Sequence, residues 1–384
     1  MTIETRALGE LITPAPVVRA GNETYPILSM TMHHGLVMQG EKFKKRIASH
    51  DTSTYKVAKR GQLVVGFPID EAVLSFQGIT SAGIVSPAYE IWDVKDSQVD
   101  RKYLERYLRS PMAITYYKSK LRSTTARRRS IPRSDFLNLR IPFPCLTEQR
   151  RTAEILDRVD ELRTKRRQTI ALLDELAQSV FLDMFGDPLS NPIGWHRQAM
   201  SELGTVVTGN TPSRKDVTNY GSDIEWIKSD NIDPPRMFVS EASERLSSKG
   251  AKIARIVDPN SILITCIAGS PNSIGNAAIA GRRVAFNQQI NAFTPKGVDL
   301  LYALMHMRVG KRLTQEKSTG GMQGLVSKSN FSSIQLMVPP LPLQREFAQR
   351  LQLLERQRDV QEEHRVKLDE LFTSLQTRAF RGGL

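Results

Sequence analysis

The side chains best suited to binding chemistry lie in two polar segments, each of which precedes a proline-rich strand. Residues 120–130 are rich in arginine, and residues 315–325 are rich in glycine. Arginine grips phosphate or binds guanine through two hydrogen bonds, glutamine suits adenine, and glycine lets backbone N–H groups approach phosphate closely. Both segments therefore predict contact with DNA, although a solvated loop with incidental charge has the same composition.

The candidate DNA contacts carry a positive charge, a hydroxyl or amide group, or no side chain at all. In and beside the two segments they are Lys120, Arg122, Ser123, Arg127, Arg128, Arg129, Arg133, Lys317, Gly320, Gly321, Gln323 and Lys328. Weaker candidates are Ser213, Arg214, Lys215, Lys228, Ser229 and Asn231. Gln288 and Gln289 could read bases or lie on a strand near the core, and the sequence favours neither.

Residues that would catalyse a reaction are missing from the sequence. It has no GxxxxGK[ST] phosphate loop and no GxGxxG after a predicted strand. The closest approach to an amino-methyltransferase motif is Asp233-Pro234-Pro235-Arg236, where Arg236 replaces the aromatic residue that stacks on a flipped base. We read these four residues as a turn. We expect no catalytic residue in this chain.

Metal ligation is also not expected. His33-His34 has no Cys or acidic partner nearby in sequence, so a surface loop is the favoured interpretation. Cys145 and Cys266 are too few for a zinc site or a disulfide framework. Both cysteines are predicted to be small buried side chains of a cytosolic protein.

The charge of the chain favours a polyanionic partner. The net charge is +14, and the basic excess lies in residues 1–146 and 191–341, whereas residues 147–190 and 342–384 are nearly neutral. A basic excess of this kind suits the DNA backbone. The sequence has no run long and apolar enough to span a membrane and no secretory signal at its start, so a cytoplasmic location is expected.

A repeat at an offset of 195 residues organises the chain. Ser134 matches Ser329, Pro144 matches Pro339, and Gln149-Arg150 matches Gln344-Arg345, all without a gap. The register holds through LDEL at 173–176 over LDEL at 368–371. We infer a tandem duplication with two homologous arms, since the period is far too long for a solenoid.

The shorter part of each unit is predicted to be one long helix, over 147–184 and 343–380. Apolar residues spaced by three and four mark a coiled-coil seam on each helix. The seam residues are Ile155, Val159, Leu162, Leu173, Leu176 and Val180, then Leu354, Leu368, Leu371 and Leu375. The middle of the seams is polar, with Arg166, Thr169, Gln361 and His364. If the helices pair antiparallel, these polar groups could fix the register; the alternative is an imperfect seam that faces water.

The larger part of each unit has a mixed α/β pattern. Strands are predicted at 25–31, 61–69, 72–76, 224–227, 261–267 and 282–286. A helix is predicted over 100–120, with a break or kink at Pro111, and a matching helix over 298–316. The predicted fold class is α+β, with mixed domains 1–146 and 191–341 alternating with helical segments 147–190 and 342–384.

This arrangement resembles the specificity subunits of Type I restriction–modification systems across essentially the whole chain. IPFPCLTEQRRTAEILDRVDEL and VPPLPLQREFAQRLQLLE are similar to the start of that family's conserved helices. SVFLDMFGDP followed by NPIGW resembles the passage from the first helix to the second recognition domain. GNTPSRKDVTNYGSDIEWIKSDNI and FNQQINAF resemble the looser patterns of the recognition domains.

The resemblance implies a pseudo-twofold reader of DNA in a bacterium or archaeon. Each globular domain would read one half of a bipartite, asymmetric site in double-stranded DNA. The helices would pair as an antiparallel coiled coil that sets the spacer between the half-sites. Two modification subunits, which methylate adenine N6, would bring S-adenosylmethionine, and restriction subunits would bring ATP-dependent translocation, with Mg²⁺. This chain itself would hold no cofactor.

Two other functions are compatible with parts of the sequence. One is a self-contained nuclease or methyltransferase with fused recognition arms, against which the missing catalytic motifs argue. The other is a coiled-coil scaffold that binds only protein, against which the basic excess of the globular parts argues.

Overall fold

The computed structural model describes residues 4–32, 35–42, 51–121, 129–319 and 324–381. These residues form two compact units. Unit 1 comprises Met1–Arg166 together with His364–Leu384, and unit 2 comprises Arg167–Glu363. Each unit thus contains one mixed α/β domain and a part of each of two long helices. The domain boundaries inferred above, which keep each helix whole, stay a prediction.

Unit 1 begins with a domain of short strands and helices. Its elements in chain order are β1 (Thr5–Ala7), α1 (Leu8–Leu11), β2 (Ile12–Pro14), β3 (Leu28–Thr31), β4 (Gly35–Met38), α2 (Gln39–Lys42), β5 (Lys56–Lys59), β6 (Leu63–Val65), β7 (Leu74–Phe76), β8 (Ala82–Val85), β9 (Glu90–Val94), α3 (Arg101–Leu108), α4 (Pro111–Ser119), α5 (Arg133–Leu137) and β10 (Arg140–Pro142). The long helix α6 (Leu146–Phe185) follows and continues into unit 2.

Unit 2 repeats this arrangement of a domain followed by a long helix. Its elements in chain order are β11 (Arg197–Ala199), α7 (Met200–Leu203), β12 (Gly204–Thr208), β13 (Tyr220–Ile227), β14 (Arg245–Leu246), α8 (Ser248–Ile253), β15 (Ile256–Val257), β16 (Ser261–Thr265), β17 (Ile267–Ala268), β18 (Ala277–Ala280), β19 (Val284–Phe286), β20 (Ile290–Pro295), α9 (Leu300–Val309), α10 (Lys311–Gln315), β21 (Gly324–Leu325), α11 (Lys328–Ser332) and β22 (Gln335–Met337). The second long helix, α12 (Leu341–Ala379), ends in unit 1.

Two sheets of each domain have the same topology. A four-stranded antiparallel sheet has the order β2-β9-β6-β7 in unit 1 and β12-β20-β16-β18 in unit 2. In each domain the first strand pairs antiparallel with the proline-rich strand before the long helix, β1 with β10 and β11 with β22. The predicted strands all contain or overlap strands of the structure.

The helices that precede the polar segments are each broken once. In unit 1 the break is where Pro111 predicts it: α4 starts at Pro111, and the Ser110 hydroxyl accepts a hydrogen bond from the backbone N–H of Ala113. In unit 2 the single helix predicted over 298–316 is wrong, because Gly310 separates α9 from α10. Glycine is a poor helix former, and a side chain there would collide with Pro188 and the His306 carbonyl.

The two units repeat the same buried hydrogen bonds. The Tyr103 hydroxyl donates to the Pro142 carbonyl and the Tyr302 hydroxyl to the Met337 carbonyl, both at 2.9 Å. Gln149 and Gln344, which are 195 positions apart, are both almost fully buried. The Gln149 side chain accepts from the backbone N–H of Asp100 at 2.9 Å, and that of Gln344 accepts from the backbone N–H of Asp299 at 2.8 Å. These bonds tie the start of each long helix to the domain before it.

In unit 1 the first part of α6 packs against the last part of α12. Leu156, Val159, Phe372 and Ala379 belong to one buried apolar cluster with the domain. At the edge of this cluster Arg163 donates to Asp369 at 2.5 Å, and its guanidinium lies 4.3 Å from the centre of the Phe372 ring. Residues of both helices therefore share the core of unit 1.

In unit 2 the remaining parts of the same helices pack against each other in opposite directions. Arg358 donates to Asp174 at 2.9 Å, whereas farther along α6 the Phe181 ring packs on Phe347, earlier in α12. Residues 163 and 358 are 195 apart, and so are residues 174 and 369. The two ion pairs, Arg163–Asp369 and Arg358–Asp174, are thus equivalent positions of the repeat.

The structure corrects three seam residues. Leu162, Leu176 and Leu371 are each 46% exposed, whereas Ala177 and Phe372, which follow two of them, are buried. Consecutive helical residues point about 100° apart, and each long helix packs on a domain as well as on the other helix, which shifts the buried face. Val159 is buried, and the other predicted seam residues are half-buried: Ile155, Leu173, Val180, Leu354, Leu368 and Leu375. The register role of Arg166, Thr169, Gln361 and His364 stays a hypothesis.

Several other predictions can be compared with the described residues. Cys266 is buried, but Cys145 is exposed because it lies in the turn before α6, so its predicted burial is wrong. His33-His34 lies outside the described residues. Within the described ranges no helix is long and apolar enough to cross a membrane. Among the same residues no group of three or more His, Cys, Asp or Glu side chains could hold a metal ion.

Candidate nucleic-acid interface

In unit 1 the structure describes only the two ends of the arginine-rich segment, residues 120–121 and 129–130. Arg122, Ser123, Arg127 and Arg128 lie outside the described residues. Lys120, at the end of α4, is exposed, and its ammonium lies 6.0 Å from the centre of the Tyr116 ring. This lysine is available to a phosphate group.

Arg129 anchors the far end of this segment. Its guanidinium donates to Asp70 at 2.9 Å and to Glu71 at 2.5 Å, and its carbonyl accepts from the backbone N–H of Ile69 at 3.1 Å. Asp70 is buried, so removing Arg129 would leave a buried carboxylate without this partner. Arg129 was predicted as a DNA contact, and in the structure two carboxylates of the domain already hold its guanidinium.

Arg133, the first residue of α5, stacks on an aromatic ring. Its guanidinium lies 4.8 Å from the centre of the buried Trp92 ring and 3.8 Å from the Glu90 carboxylate. Its side chain is still 53% exposed. A stacked guanidinium loses little freedom on binding, so Arg133 is well placed to meet an anion.

In unit 2 the glycine-rich segment ends on a short strand pair. Gly320, Gly321 and Gln323 lie outside the described residues, and Lys317 and Lys328, on either side, are exposed. The last two residues of the segment form β21, which pairs antiparallel with β17. The residues just before and at the start of β17, Cys266 and Ile267, donate backbone hydrogen bonds to the Gln289 carbonyl at 2.7 and 3.1 Å. The segment therefore ends beside the turn that contains Gln289.

Two of the weaker candidates, Arg214 and Lys228, meet at one carboxylate. Nη1 and Nη2 of Arg214 donate to the two carboxylate oxygens of Glu244, at 2.9 and 3.0 Å, and the Lys228 ammonium binds the same carboxylate. Each cation also lies over aromatic rings: Arg214 is 5.0 Å from the Tyr220 ring and 5.3 Å from Trp226, and Lys228 is 5.3 Å from Trp226. Hydrogen bonds from Arg214 and then from Lys228 lower the pKa of Glu244 to about 2. We call these residues the Glu244 cluster.

The remaining candidates near this cluster have differing environments. The Asn231 side chain accepts from the backbone N–H of Lys228 at 3.0 Å and donates to the Glu241 carbonyl at 3.0 Å, so it closes a turn. Ser213 contributes its carbonyl to the Asn219 side chain at 3.1 Å. Lys215 is exposed. Among these, Lys215 has the side chain best placed to meet DNA.

Neither candidate glutamine lies in the core. Gln288 is exposed and accepts a hydrogen bond from the Thr211 hydroxyl, and Gln289 is half-buried and accepts one from the Ser229 hydroxyl at 3.3 Å. The 211–215 segment, the 228–231 turn and residues 287–289 thus meet on one side of the unit 2 domain. Sequence reasoning missed Glu244 and Asn287, because neither carries a local signal of what it binds.

The described residues of this interface can therefore bind an anion and can form hydrogen bonds with the polar edges of bases.

Asp233-Pro234-Pro235-Arg236 forms the expected turn, with the Arg236 N–H donating to the Asp233 carbonyl at 3.0 Å. The half-buried side chain of Arg308 holds that turn by donating to the Pro235 carbonyl at 3.0 Å. Arg236 and its neighbours therefore have a structural role in the turn.

One family model and several curated proteins match parts of this chain. Residues 192–370 match the family model described as the Type I restriction modification DNA specificity domain. The chain is 28% identical over 154 residues to the Type I restriction enzyme HindI specificity subunit of Haemophilus influenzae, covering 38% of this chain and 32% of that protein. It is 27% identical over 163 residues to the MjaIX specificity subunit of Methanocaldococcus jannaschii, covering 41% of this chain and 37% of that protein. The matches thus span about a third of each relative.

Two solved structures have a similar fold over nearly the whole chain. One is the S subunit of a Type I restriction–modification system from M. genitalium, 14% identical, with a TM-score of 0.55 and coverage of 98% of this chain and 96% of that chain. The other comes from a study of complex assembly and conformational transition of a type I R-M system, 17% identical, with a TM-score of 0.59 and coverage of 100% and 98%. At these identities the likeness shows the fold.

Proposed function

We propose that this chain selects the DNA sequence for a Type I restriction–modification complex, because residues 192–370 match the family model of the Type I restriction modification DNA specificity domain and the relatives are specificity subunits. The observation that carries the proposal is the Glu244 cluster beside the paired glutamines. It places two cations that suit phosphate next to amide groups that suit base edges. Such a surface distinguishes a sequence reader from a scaffold that binds only protein.

We propose that each unit reads one half of a bipartite, asymmetric site in double-stranded DNA. The repeated sheet order and the matched hydrogen bonds of Gln149 and Gln344 support two homologous arms made by a tandem duplication. We call the candidate DNA-binding region of each domain its tip. The two tips differ, because that of unit 1 is the arginine-rich segment 120–130 and that of unit 2 is the Glu244 cluster. Different tips on one framework suit two different half-sites.

The two long helices would pair as an antiparallel coiled coil and set the spacer between the half-sites. The opposite directions of α6 and α12 in unit 2 and the two equivalent ion pairs support a pseudo-twofold arrangement. Lengthening both helices equally, by whole turns inserted at matched positions of the repeat, should change the length of the unread spacer. The half-sites themselves should stay the same, and a changed half-site would contradict the spacer role.

The helices also offer apolar surface to partner subunits. Leu162 and Leu371 in unit 1 and Leu176 and Leu353 in unit 2 are between 46% and 61% exposed. We propose that two modification subunits dock there and supply S-adenosylmethionine. Restriction subunits would supply the ATP- and Mg²⁺-dependent translocase, all in the cytoplasm. This chain would be the non-catalytic member, because the relatives it matches are specificity subunits.

Selection from a library of randomised DNA duplexes tests the proposal. The full chain is co-expressed with the modification subunit of its host, and bound duplexes are sequenced. We expect a motif of two unlike halves separated by an unread spacer of fixed length. A complex that selects no sequence would favour the scaffold alternative, and cleavage or methylation by the purified chain alone would favour the self-contained enzyme.

A further inference from the structure

The turn between β19 and β20 holds one glutamine in a defined orientation. Asn287, Gln288 and Gln289 form this turn, and its backbone is tied at both ends. The Asn287 N–H donates to the Ile227 carbonyl at 3.0 Å, and the Gln289 carbonyl accepts from Cys266 and Ile267. The side chains at this turn therefore project from a rigid base.

The backbone decides which way the Asn287 amide faces. The backbone N–H of Gln289 donates to Asn287 Oδ1 at 3.1 Å, and only an oxygen can accept that bond. Asn287 Nδ2 consequently points the other way, and it donates to Gln289 Oε1 at 2.9 Å. The orientation of the Gln289 amide follows from that of Asn287.

The same oxygen of Gln289 receives a second hydrogen bond. The Ser229 hydroxyl donates to Gln289 Oε1 at 3.3 Å, so both lone pairs of this oxygen are used. Gln289 Nε2 has no hydrogen-bond partner among the residues that the structure describes. This atom is not buried. The half-buried Gln289 side chain thus turns two N–H donors toward solvent and no acceptor.

Such a group cannot read adenine in the usual way. A glutamine that binds adenine donates to N7 and accepts from the N6 amino group, whereas guanine offers two acceptors, N7 and O6. We propose that Gln289 reads a guanine through Nε2 in the half-site bound by unit 2, an inference that rests on the proposed DNA-reading function. It replaces the expectation that glutamine at this surface suits adenine.

Gln288 does not carry the same inference. Its oxygen accepts a single hydrogen bond, from the hydroxyl of the exposed Thr211, and a hydroxyl can also rotate to accept. The Gln288 amide can therefore present either end. Gln289 also lies beside Ser229, which follows Lys228 of the Glu244 cluster, so the base-reading donor adjoins a cation that suits phosphate.

The test repeats the duplex selection with a Gln289→Glu variant of the full chain. Glutamate keeps an oxygen toward Asn287 and Ser229 but turns a second acceptor outward, which suits the amino group of cytosine. We expect one guanine of one half-site to become cytosine, with about a tenfold or greater loss of preference for guanine. The other half-site should not change. Gln335→Glu, an exposed glutamine on β22, is the matched control and should select the wild-type motif.

A second variant reverses the amide without removing it. In Asn287→Asp the carboxylate still accepts from the Gln289 N–H, and its other oxygen attracts Gln289 Nε2 and turns Oε1 outward. The selected base should then change from guanine to cytosine or adenine, which carry amino groups in the major groove. Both variants are first checked for wild-type melting temperature.

The outcomes separate this inference from the function on which it rests. If the folded variants select the wild-type motif, or if the wild-type motif contains no guanine in either half, Gln289 does not read guanine while the reading function stands. If the wild-type complex selects no sequence at all, the proposed function fails and the inference fails with it.

Discussion

Unit 1 and unit 2 agree where they build a framework and differ where they would meet DNA. In both, a buried tyrosine donates to the strand before the long helix, Tyr103 in one and Tyr302 in the other. Each tyrosine also packs on a phenylalanine at the end of a long helix within its own unit, Tyr103 on Phe380 after α12 and Tyr302 on Phe185 of α6, with ring centres 5.6 and 4.8 Å apart. The tips differ. In unit 1 a single arginine, Arg129, pairs with two carboxylates, Asp70 and Glu71. In unit 2 two cations, Arg214 and Lys228, pair with the one carboxylate of Glu244.

The difference separates two kinds of charged residue. Arg163, Arg358, Asp174 and Asp369 occupy equivalent positions and make equivalent ion pairs, so they belong to the framework. The positions 195 residues before Lys228 and Glu244 are His33 and Ser49, which carry neither the lysine nor the carboxylate of the Glu244 cluster, so this cluster belongs to a tip. A charged residue is therefore not a DNA contact merely because it is charged. A charged residue that is present in one unit and absent from the equivalent position of the other is a better candidate for a DNA contact.

The largest expected effect tests whether the framework is equivalent in both units. Leu156 and Leu351 are 195 positions apart and at most 1% exposed. Leu156→Ala and Leu351→Ala should each reduce the free energy of unfolding of their own unit by about 2–5 kcal/mol, because each leaves a cavity in a core. Peptide-resolved hydrogen exchange measures the two units separately. Leu162→Ala, at an exposed site, should change stability by less than about 0.5 kcal/mol, and a comparable loss there would contradict the corrected seam.

An intermediate effect should distinguish the units by pH. Burial lowers the pKa of His306 in unit 2 to about 3. His306 follows Asp299, the N-cap of α9, by seven residues, and the residue that follows Asp100, the N-cap of α3, by seven is Tyr107. In the unfolded chain this histidine has a pKa near 6.5, so below that pH it binds a proton that the folded protein does not bind. The free energy of unfolding of unit 2 therefore falls as the pH decreases from 6.5 toward 3. Between pH 7 and 5 unit 2 should lose about 2 kcal/mol that unit 1 keeps.

The control for this pH effect is His306→Gln, which cannot be protonated. It should remove the difference in pH dependence between the units, as measured by hydrogen exchange at pH 7 and pH 5. If unit 2 of the variant still weakens between these two pH values as the wild type does, another group is responsible.

A smaller effect concerns the tip of unit 2. Arg214→Ala with Lys228→Ala should weaken DNA binding and reduce the slope of log affinity against log salt concentration by about 2, one for each lost phosphate contact. Glu244→Gln should act in the opposite direction, since it frees both cations from a carboxylate, and should strengthen binding with a steeper slope. Affinity measured from low to moderate salt checks both variants, and an unchanged slope in the first would exclude the cluster from the interface.

Much of the framework could be predicted from the sequence because it depends on local patterns. The two long helices were placed within two residues of their ends at both termini, and Pro111 predicted the break before α4. The offset of 195 connected Gln149 with Gln344 before either had a known role. The phase of the helix seams was less predictable, because Ala177 and Phe372 are buried against domains whose positions the helix sequence does not encode.

The chemistry of the candidate site was harder to predict. Glu244 follows Arg214 by 30 residues, so no local spacing indicates this contact. Gln289 was a candidate from its residue type alone. Its orientation depends on the backbone N–H that fixes Asn287, which only the structure reveals.

The central claim, that each unit reads its own half of the site, is tested most directly by hydroxyl-radical footprinting with one altered tip at a time. Arg127→Ala with Arg128→Ala changes the unit 1 segment and keeps the Arg129 anchor, and Arg214→Ala with Lys228→Ala changes unit 2. On a duplex carrying the selected bipartite site, each variant should lose protection over one half-site and keep it over the other. Loss of protection over both halves by either variant, in a protein that remains folded, would contradict the claim.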